Sequence, residues 1–216
     1  MAKGQHKVYV ITGAAGTGKT SVANYLRHRY HMMKVITHTT RQPRPGEQNG
    51  VDYFFETPAS MDKLHLLERV EYDHHLYGSS MEGLQRGWND DRDDVIVLDT
   101  AGAITYEQQL GDQVVVIFLT VSNVRVLSKR LYARGDRQAA IHSRLHSAEY
   151  QRDLTLPGAL VGKAHVIVND NWEATQGKLD QLISDQQGWN YGCIRKSKDD
   201  GKSAWYAMDP TARTAN

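Results

Sequence analysis

Residues Gly13, Ala14, Ala15, Gly16, Thr17, Gly18, Lys19 and Thr20 run consecutively, and this spacing of glycines, lysine and hydroxyl suits one chemistry, the gripping of a polyphosphate. Glycines let successive backbone N–H groups converge on phosphate oxygens. Lys19 then reaches the β- and γ-phosphates, and the Thr20 hydroxyl ligates Mg²⁺ at a helix N-terminus. An apolar run at 7–12 precedes the loop and a helically spaced stretch at 20–30 follows it, which is the strand–loop–helix context the motif requires. The implied ligand is ATP or GTP with Mg²⁺. An incidental glycine-rich turn is the bland alternative.

Hydrolases, switches and kinases share such a loop, so the rest of the chain must choose between them. Leu98, Asp99, Thr100, Ala101 and Gly102 look like the Asp-Thr-Ala-Gly switch sequence of small GTPases, with Asp99 at a strand end where a Mg²⁺-linked carboxylate belongs. The base-reading Asn-Lys-x-Asp sequence of those proteins is missing, since Asn169, Asp170, Asn171 and Trp172 do not match it. Arg41 and Arg44 lie three residues apart with Pro43 and Pro45 stiffening the turn. Such a pair can clamp one phosphate from two directions, and Tyr53 can add a neutral donor.

The segment from Thr39 through Arg41, Arg44, Gly46, Gly50 and Tyr53 to Phe55 closely resembles the acceptor-binding signature of guanylate kinases. A second segment, Leu67 to Ser79, with a glutamate followed nine residues later by Tyr77, Gly78 and Ser79, resembles the family's next acceptor element. The resemblance implies that Glu68 accepts from guanine N1–H and the 2-amino group. It places the hydroxyls of Thr37 and Ser79 near the base, Tyr77 at the phosphate, and Asp99 at both GMP and Mg²⁺. Arg130, Arg134, Arg137 and Arg144 resemble the arginines of the family's lid, with Arg130 and Arg134 at ATP and Arg134 and Arg144 supporting transfer. Val168, Asn169 and Asp170 resemble the segment near the donor adenine. The likeness extends over residues 7–183. It departs from the family pattern at Val97, where a second carboxylate is usual, at His38, and at Ser143.

The resemblance therefore implies an ATP:GMP phosphotransferase that also takes dGMP, is Mg²⁺-dependent, and has ATP and GMP as its partners. The alternatives are a degenerate guanylate-kinase-like binding module and, behind it, a P-loop GTPase switch. Histidines carry no obligatory chemistry in such a transfer. His74, His75, His142 and His146 read as surface, while His38 either meets a base or packs.

The elements that must position these residues are an α/β set. Continuous apolar runs at 7–12, 95–98, 114–119 and 165–168, with a weaker one at 34–37, read as parallel strands covered on both faces. Helical spacing at 20–30, 124–132 and 172–183 supplies the crossovers. The expected architecture is a P-loop kinase fold, a parallel-sheet core flanked by helices with inserted acceptor-binding and lid subdomains. Its core comprises 1–36, 81–132 and 161–188. The GMP-binding subdomain is 37–80, with a helical patch at 61–69, and the lid is 133–160. Residues 189–216 form a C-terminal extension in which Asp200 and Gly201 signal a β-hairpin.

Lys plus Arg numbers 26 against 25 Asp plus Glu, which argues against a broad footprint for nucleic acid or an anionic membrane. The longest apolar run, at 114–121, is far below the ~20 residues a bilayer demands. The N-terminal residues lack the apolar core of a signal peptide. The single cysteine, Cys193, forms no disulfide within the chain, consistent with a reducing cytoplasm. A monomer or homodimer is expected.

Overall fold

The computed structural model describes residues 6–72, 75–133 and 138–187. The chain divides into two compact units, residues 1–178 and 179–216. All of the site lies in the first.

The order begins β1 (Val8–Thr12), α1 (Lys19–Tyr30), β2 (Met33–Lys34), β3 (His38–Thr39), β4 (Phe54–Phe55), α2 (Pro58–Met61), β5 (Leu66–Tyr72) and β6 (His75–Ser80). It continues α3 (Met81–Asn89), β7 (Asp94–Val97), α4 (Thr100–Leu110), β8 (Val114–Thr120), α5 (Arg125–Ala133), α6 (Gln138–Leu145), α7 (Ala148–Asp153), β9 (Ala164–Val168) and α8 (Trp172–Gln187). Two sheets result. The first is five-stranded and parallel throughout, in the order β2-β7-β1-β8-β9, with Val8 opposite both Asp94 and Val114. Every residue of β1 is buried, as the centre of a sheet covered on both faces must be. Alternation along that strand sends Val8 and Val10 to a core shared with Ile96, Leu98, Ala103, Tyr106 and Val116. The weak run expected at 34–37 enters the sheet only at Met33–Lys34, and the chain then leaves toward the second sheet.

The second sheet has the order β4-β3-β6-β5 and is mixed, with β3 parallel to β4 and antiparallel to β6. Here the expectation of a helical patch at 61–69 is overturned. A helix does start, on a Thr57–Ser60 capping box with Pro58 in its first turn, but it spans only Pro58–Met61. Residues 66–72 instead pair antiparallel with β6, a partner that the apolar spacing inside 61–69 does not register. The register shifts between Leu66 and Glu68. At that bulge Leu67 turns into the main core, while Glu68 lies opposite Ser79. Leu67 thereby fastens the acceptor sheet to the parallel sheet next to the residue expected to read a base.

The expected hairpin at 189–216 lies outside the described residues, as do Arg134, Arg137 and His74. Among the described residues no helix is long and apolar enough to cross a membrane. None of their His, Cys, Asp and Glu side chains gather in threes around a metal position.

Candidate active site

The phosphate loop joins β1 to α1 at the end of the buried sheet. Gly13 has φ 123°, and a Cβ there would collide with the carbonyl oxygen of Leu119 on β8. Gly18 has φ 97° and caps α1, where a Cβ would collide with the Asn169 amide. Both positions demand glycine. Lys19 Nζ donates to the carbonyls of Gly13 and Ala14, and Thr17 Oγ1 donates to Ala14 O at 2.8 Å. The first turn of α1 has no acidic residue, while Arg27, His28 and Arg29 occupy its last turn. The positive end of the helix dipole thus faces the loop without a competing side-chain anion. Thr20 stands exposed in that first turn, a placement that fits a hydroxyl ligand for a phosphate-bound cation.

Two residues expected at the donor nucleotide brace this loop. Asn169 is buried, donates Nδ2 to Thr17 O at 2.8 Å and accepts from Thr175 Oγ1 at 2.9 Å. Arg130 donates to Asn169 O at 2.9 Å and reaches Gly16 O at 3.5 Å. Together they tie the loop to the end of β9 and the start of α8. Arg144 is exposed on α6.

A cavity of about 360 Å³ opens between the two sheets, a size that suits a small ligand. Its lining residues are Lys19, Thr37, Tyr53, Glu68, Val70, Tyr77, Gly78, Val97, Leu98, Asp99 and Asp153. The phosphate-loop lysine and most of the expected acceptor residues therefore meet in one space. Glu68 and Val70 share it because residues two apart on a strand share a face. Ser79 is fully buried behind the wall and donates Oγ to Glu68 Oε1 at 3.3 Å. Burial pushes the Glu68 carboxyl up to about 7. The Ser79 hydroxyl pulls against that rise, and the charge of Asp99 adds to it. A partly dry acid of this kind can hydrogen-bond a donor pair with little competition from water.

The two clamp arginines lie outside the cavity lining. Arg41 Nη2 donates to both carboxylate oxygens of Glu47, at 2.9 and 3.0 Å, and the guanidinium covers the rings of Tyr53 and Phe55 at 5.6 and 5.9 Å. Tyr77 also interacts with it, so Arg41 sits directly behind two cavity tyrosines. The Arg44 side chain is exposed, and its backbone N–H donates to Glu47 Oε2 at 2.7 Å. That N–H, with the Arg41 guanidinium, holds the Glu47 carboxyl below the ordinary carboxylate range. Glu47 organises the whole turn, a role that the basic spacing alone did not announce.

His38 packs instead of facing a ligand. It is buried, its Nδ1 lies 3.0 Å from Glu56 Oε1 and its Nε2 2.9 Å from Ser80 Oγ, and its ring stacks on Phe54. His142 and His146 stack on each other at the exposed surface.

Asp99 caps α4, accepting from Gly102 N–H at 2.7 Å through Oδ1. Its Oδ2 accepts from Arg152 Nη2 at 2.8 Å. Both oxygens are thus engaged, one by a guanidinium, so this carboxylate fits a divalent cation less well than Thr20 does. Arg152 and Asp153, at the end of α7, were not legible as site residues; no spacing in the sequence links them to Asp99 or to Thr100.

The guanylate kinase family model matches residues 5–186. A guanylate kinase of Synechococcus sp. (strain JA-3-3Ab) is 34% identical over 183 residues, covering 82% of this chain and 82% of that protein. One from Thermus thermophilus is 33% identical over 173 residues, covering 76% of this chain and 74% of that protein. Among solved structures, guanylate kinase from Anaplasma phagocytophilum aligns with a TM-score of 0.57 at 22% identity, covering 84% of this chain and 86% of that one, a likeness of fold.

Proposed function

The chain belongs to the guanylate kinase family, and on that premise we propose that it transfers the γ-phosphoryl group of ATP to GMP or dGMP, giving ADP and GDP or dGDP. One observation carries the reading: Lys19 of the phosphate loop shares a cavity with Glu68, Thr37, Tyr53 and Tyr77. Donor and acceptor groups that must exchange a phosphoryl have to meet in one space.

On this reading Glu68 accepts from guanine N1–H and the 2-amino group, with Ser79 and Thr37 beside it. Adenine offers no such donor pair, and a site built to hydrogen-bond its substrate rejects the analogue by ~10⁴ to 10⁵. Arg41, Arg44 and Tyr53 hold the acceptor phosphate. For this Arg41 exchanges Glu47 for phosphate, carboxylate and phosphate being equivalent partners for a guanidinium fork. That phosphate's second pKa is ~6, so the attacking oxygen is already ionised at neutral pH and no general base is needed. Lys19 and the backbone of residues 13–18 hold the donor, braced by Asn169 and Arg130. Thr20 would hold the Mg²⁺ that neutralises the donor phosphates. Arg130, Arg134 and Arg144 add positive charge where the equatorial oxygens carry it in the transition state.

The corresponding division of the chain is a core of 1–36, 81–132 and 161–188, a GMP-binding part at 37–80 and a lid at 133–160. The enzyme acts on free nucleotides in the cytoplasm, as a monomer or homodimer. ADP formation from ATP and Mg²⁺ with GMP, dGMP, AMP and UMP tests the proposal. Turnover selective for guanine acceptors is the expected result. Acceptor-independent GTP hydrolysis, or no turnover with any acceptor, refutes it.

A further inference from the structure

The acceptor cavity has an unbalanced wall. Glu68, Asp99 and Asp153 all line it, and Lys19 is the basic residue among the described lining side chains. A phosphate monoester brings ≈ −1.5 to −2 of further charge at pH 7, so such a wall would repel the ligand unless something answers it. Arg152 does so for two of the three acids. Its Nη2 donates to Asp99 Oδ2 at 2.8 Å, and its Nε lies 2.9 Å from Asp153 Oδ1 and 3.0 Å from Thr100 Oγ1. Asp153 Oδ1 in turn accepts from Thr100 Oγ1 at 2.6 Å and from Thr100 N at 3.3 Å. A closed network therefore joins the end of α7 to the first turn of α4 across 53 residues of sequence.

We propose that Arg152 is a positioning residue of the acceptor site. Its guanidinium fixes Asp99 and Asp153 on the cavity wall and cancels enough of their charge for an anionic acceptor to enter. This deepens the guanylate kinase reading and rests on it. The planar fork matters, because a lysine ammonium at the same place cannot direct separate donors from one rigid plane at two carboxylates. The Arg152–Asp99 pair is also open to solvent, with side-chain exposures of 38% and 34%. Pairs so exposed add little to folding stability, and Asp153 keeps Thr100 as a partner without Arg152. Arg152 also meets Asp153, whose side chain is only 10% exposed, so its loss should appear chiefly in acceptor use, with a smaller fall in the folding transition.

The test is steady-state ADP formation by wild type, Arg152→Ala and Arg152→Lys, varying GMP at saturating ATP and ATP at saturating GMP, with melting curves alongside. Arg152→Ala should raise KM for GMP about tenfold, the effect of one uncompensated negative charge on the wall at an effective dielectric constant of about 20. KM for ATP should stay within about twofold. Arg152→Lys should fall between wild type and the alanine variant. In an Asp153→Asn background, where one charge is already gone, Arg152→Ala should cost less than it does in wild type. Wild-type turnover of GMP together with an unchanged KM for GMP in Arg152→Ala overturns this inference alone, as does an equal rise in both KM values. A wild type that makes no ADP with GMP overturns the guanylate kinase reading, and this inference with it.

Discussion

Replacing Glu68 with glutamine should make the protein more stable at pH 8 while spoiling its use of GMP. Burial between the sheets, with the charge of Asp99 adding to it, lifts this carboxyl from an ordinary 4.5 to about 7. A carboxyl whose folded pKa lies above its unfolded one binds its proton more tightly in the fold. Its contribution therefore favours folding below about 4.5, declines as pH rises, and becomes a full penalty above about 7. That interval corresponds to roughly 3 kcal/mol. Glutamine keeps the shape and carries no charge, but it weakens the hydrogen bond from Ser79, which offsets about 1 kcal/mol. The net gain at pH 8 is then roughly 2 kcal/mol, or about 4 to 8 °C in Tm for a chain of this size. Near pH 4.5, where the charge penalty is nearly gone and the weakened Ser79 bond remains, the variant should be up to about 1 kcal/mol less stable than wild type. In kinetics the variant should lose about a hundredfold in kcat/KM for GMP, because an amide cannot accept from two donors through two oxygens. Thermal melts of both proteins at pH 8 and pH 4.5, paired with GMP titrations, provide the readout. A variant less stable than wild type at pH 8, or an offset identical at both pH values, refutes the reasoning.

Other consequences are as definite. Lys19→Ala should slow transfer about a thousandfold or more, since the lysine neutralises the migrating charge; an ADP-formation rate above a tenth of wild type contradicts its role. Asn169→Ala strips Thr17 O of its buried donor, while the Thr175 hydroxyl keeps Asn171 O, so melting should reveal a loss of about 1 to 3 kcal/mol, and ATP titration a weaker donor site with GMP binding retained. Leu67→Ala leaves a cavity where the acceptor sheet is fastened to the core and should cost about 2 to 5 kcal/mol by denaturant titration. For the wild type, kcat/KM for GMP should climb about tenfold between pH 6 and pH 8 as Glu68 ionises, and the climb should flatten in Glu68→Gln.

How much of this was readable in the chain depends on the distance over which each feature is specified. The phosphate loop was legible because its glycines, Lys19 and Thr20 are contiguous and each answers a local backbone demand, such as the positive φ of Gly13 and Gly18. The buried strands were legible because both of their faces are apolar. Residues 61–69 misled because apolar spacing fitted a helix, while the pairing with His75–Ser80 and the bulge at Leu67 are properties of two segments together. The helix that does form there, on the Thr57 capping box, runs for four residues only. Arg152 reaches Asp99 across 53 positions and Asn169 reaches Thr17 across 152. No periodicity records such pairs, which exist only once the sheets have brought α7 to α4 and β9 to the loop. His38 shows the converse case: the sequence left a base contact and packing both open, and packing is what the fold selects, its two ring nitrogens being taken up by Glu56 and Ser80.

The proposed transfer depends on where one small anion sits, and a crystal soaked with GMP measures it directly. Guanine should lie against Glu68 and Ser79, with the phosphate turned toward Tyr53 and Arg41 and the Arg41–Glu47 pair opened to receive it. GMP bound away from this cavity, with Arg41 still paired to Glu47, would contradict it.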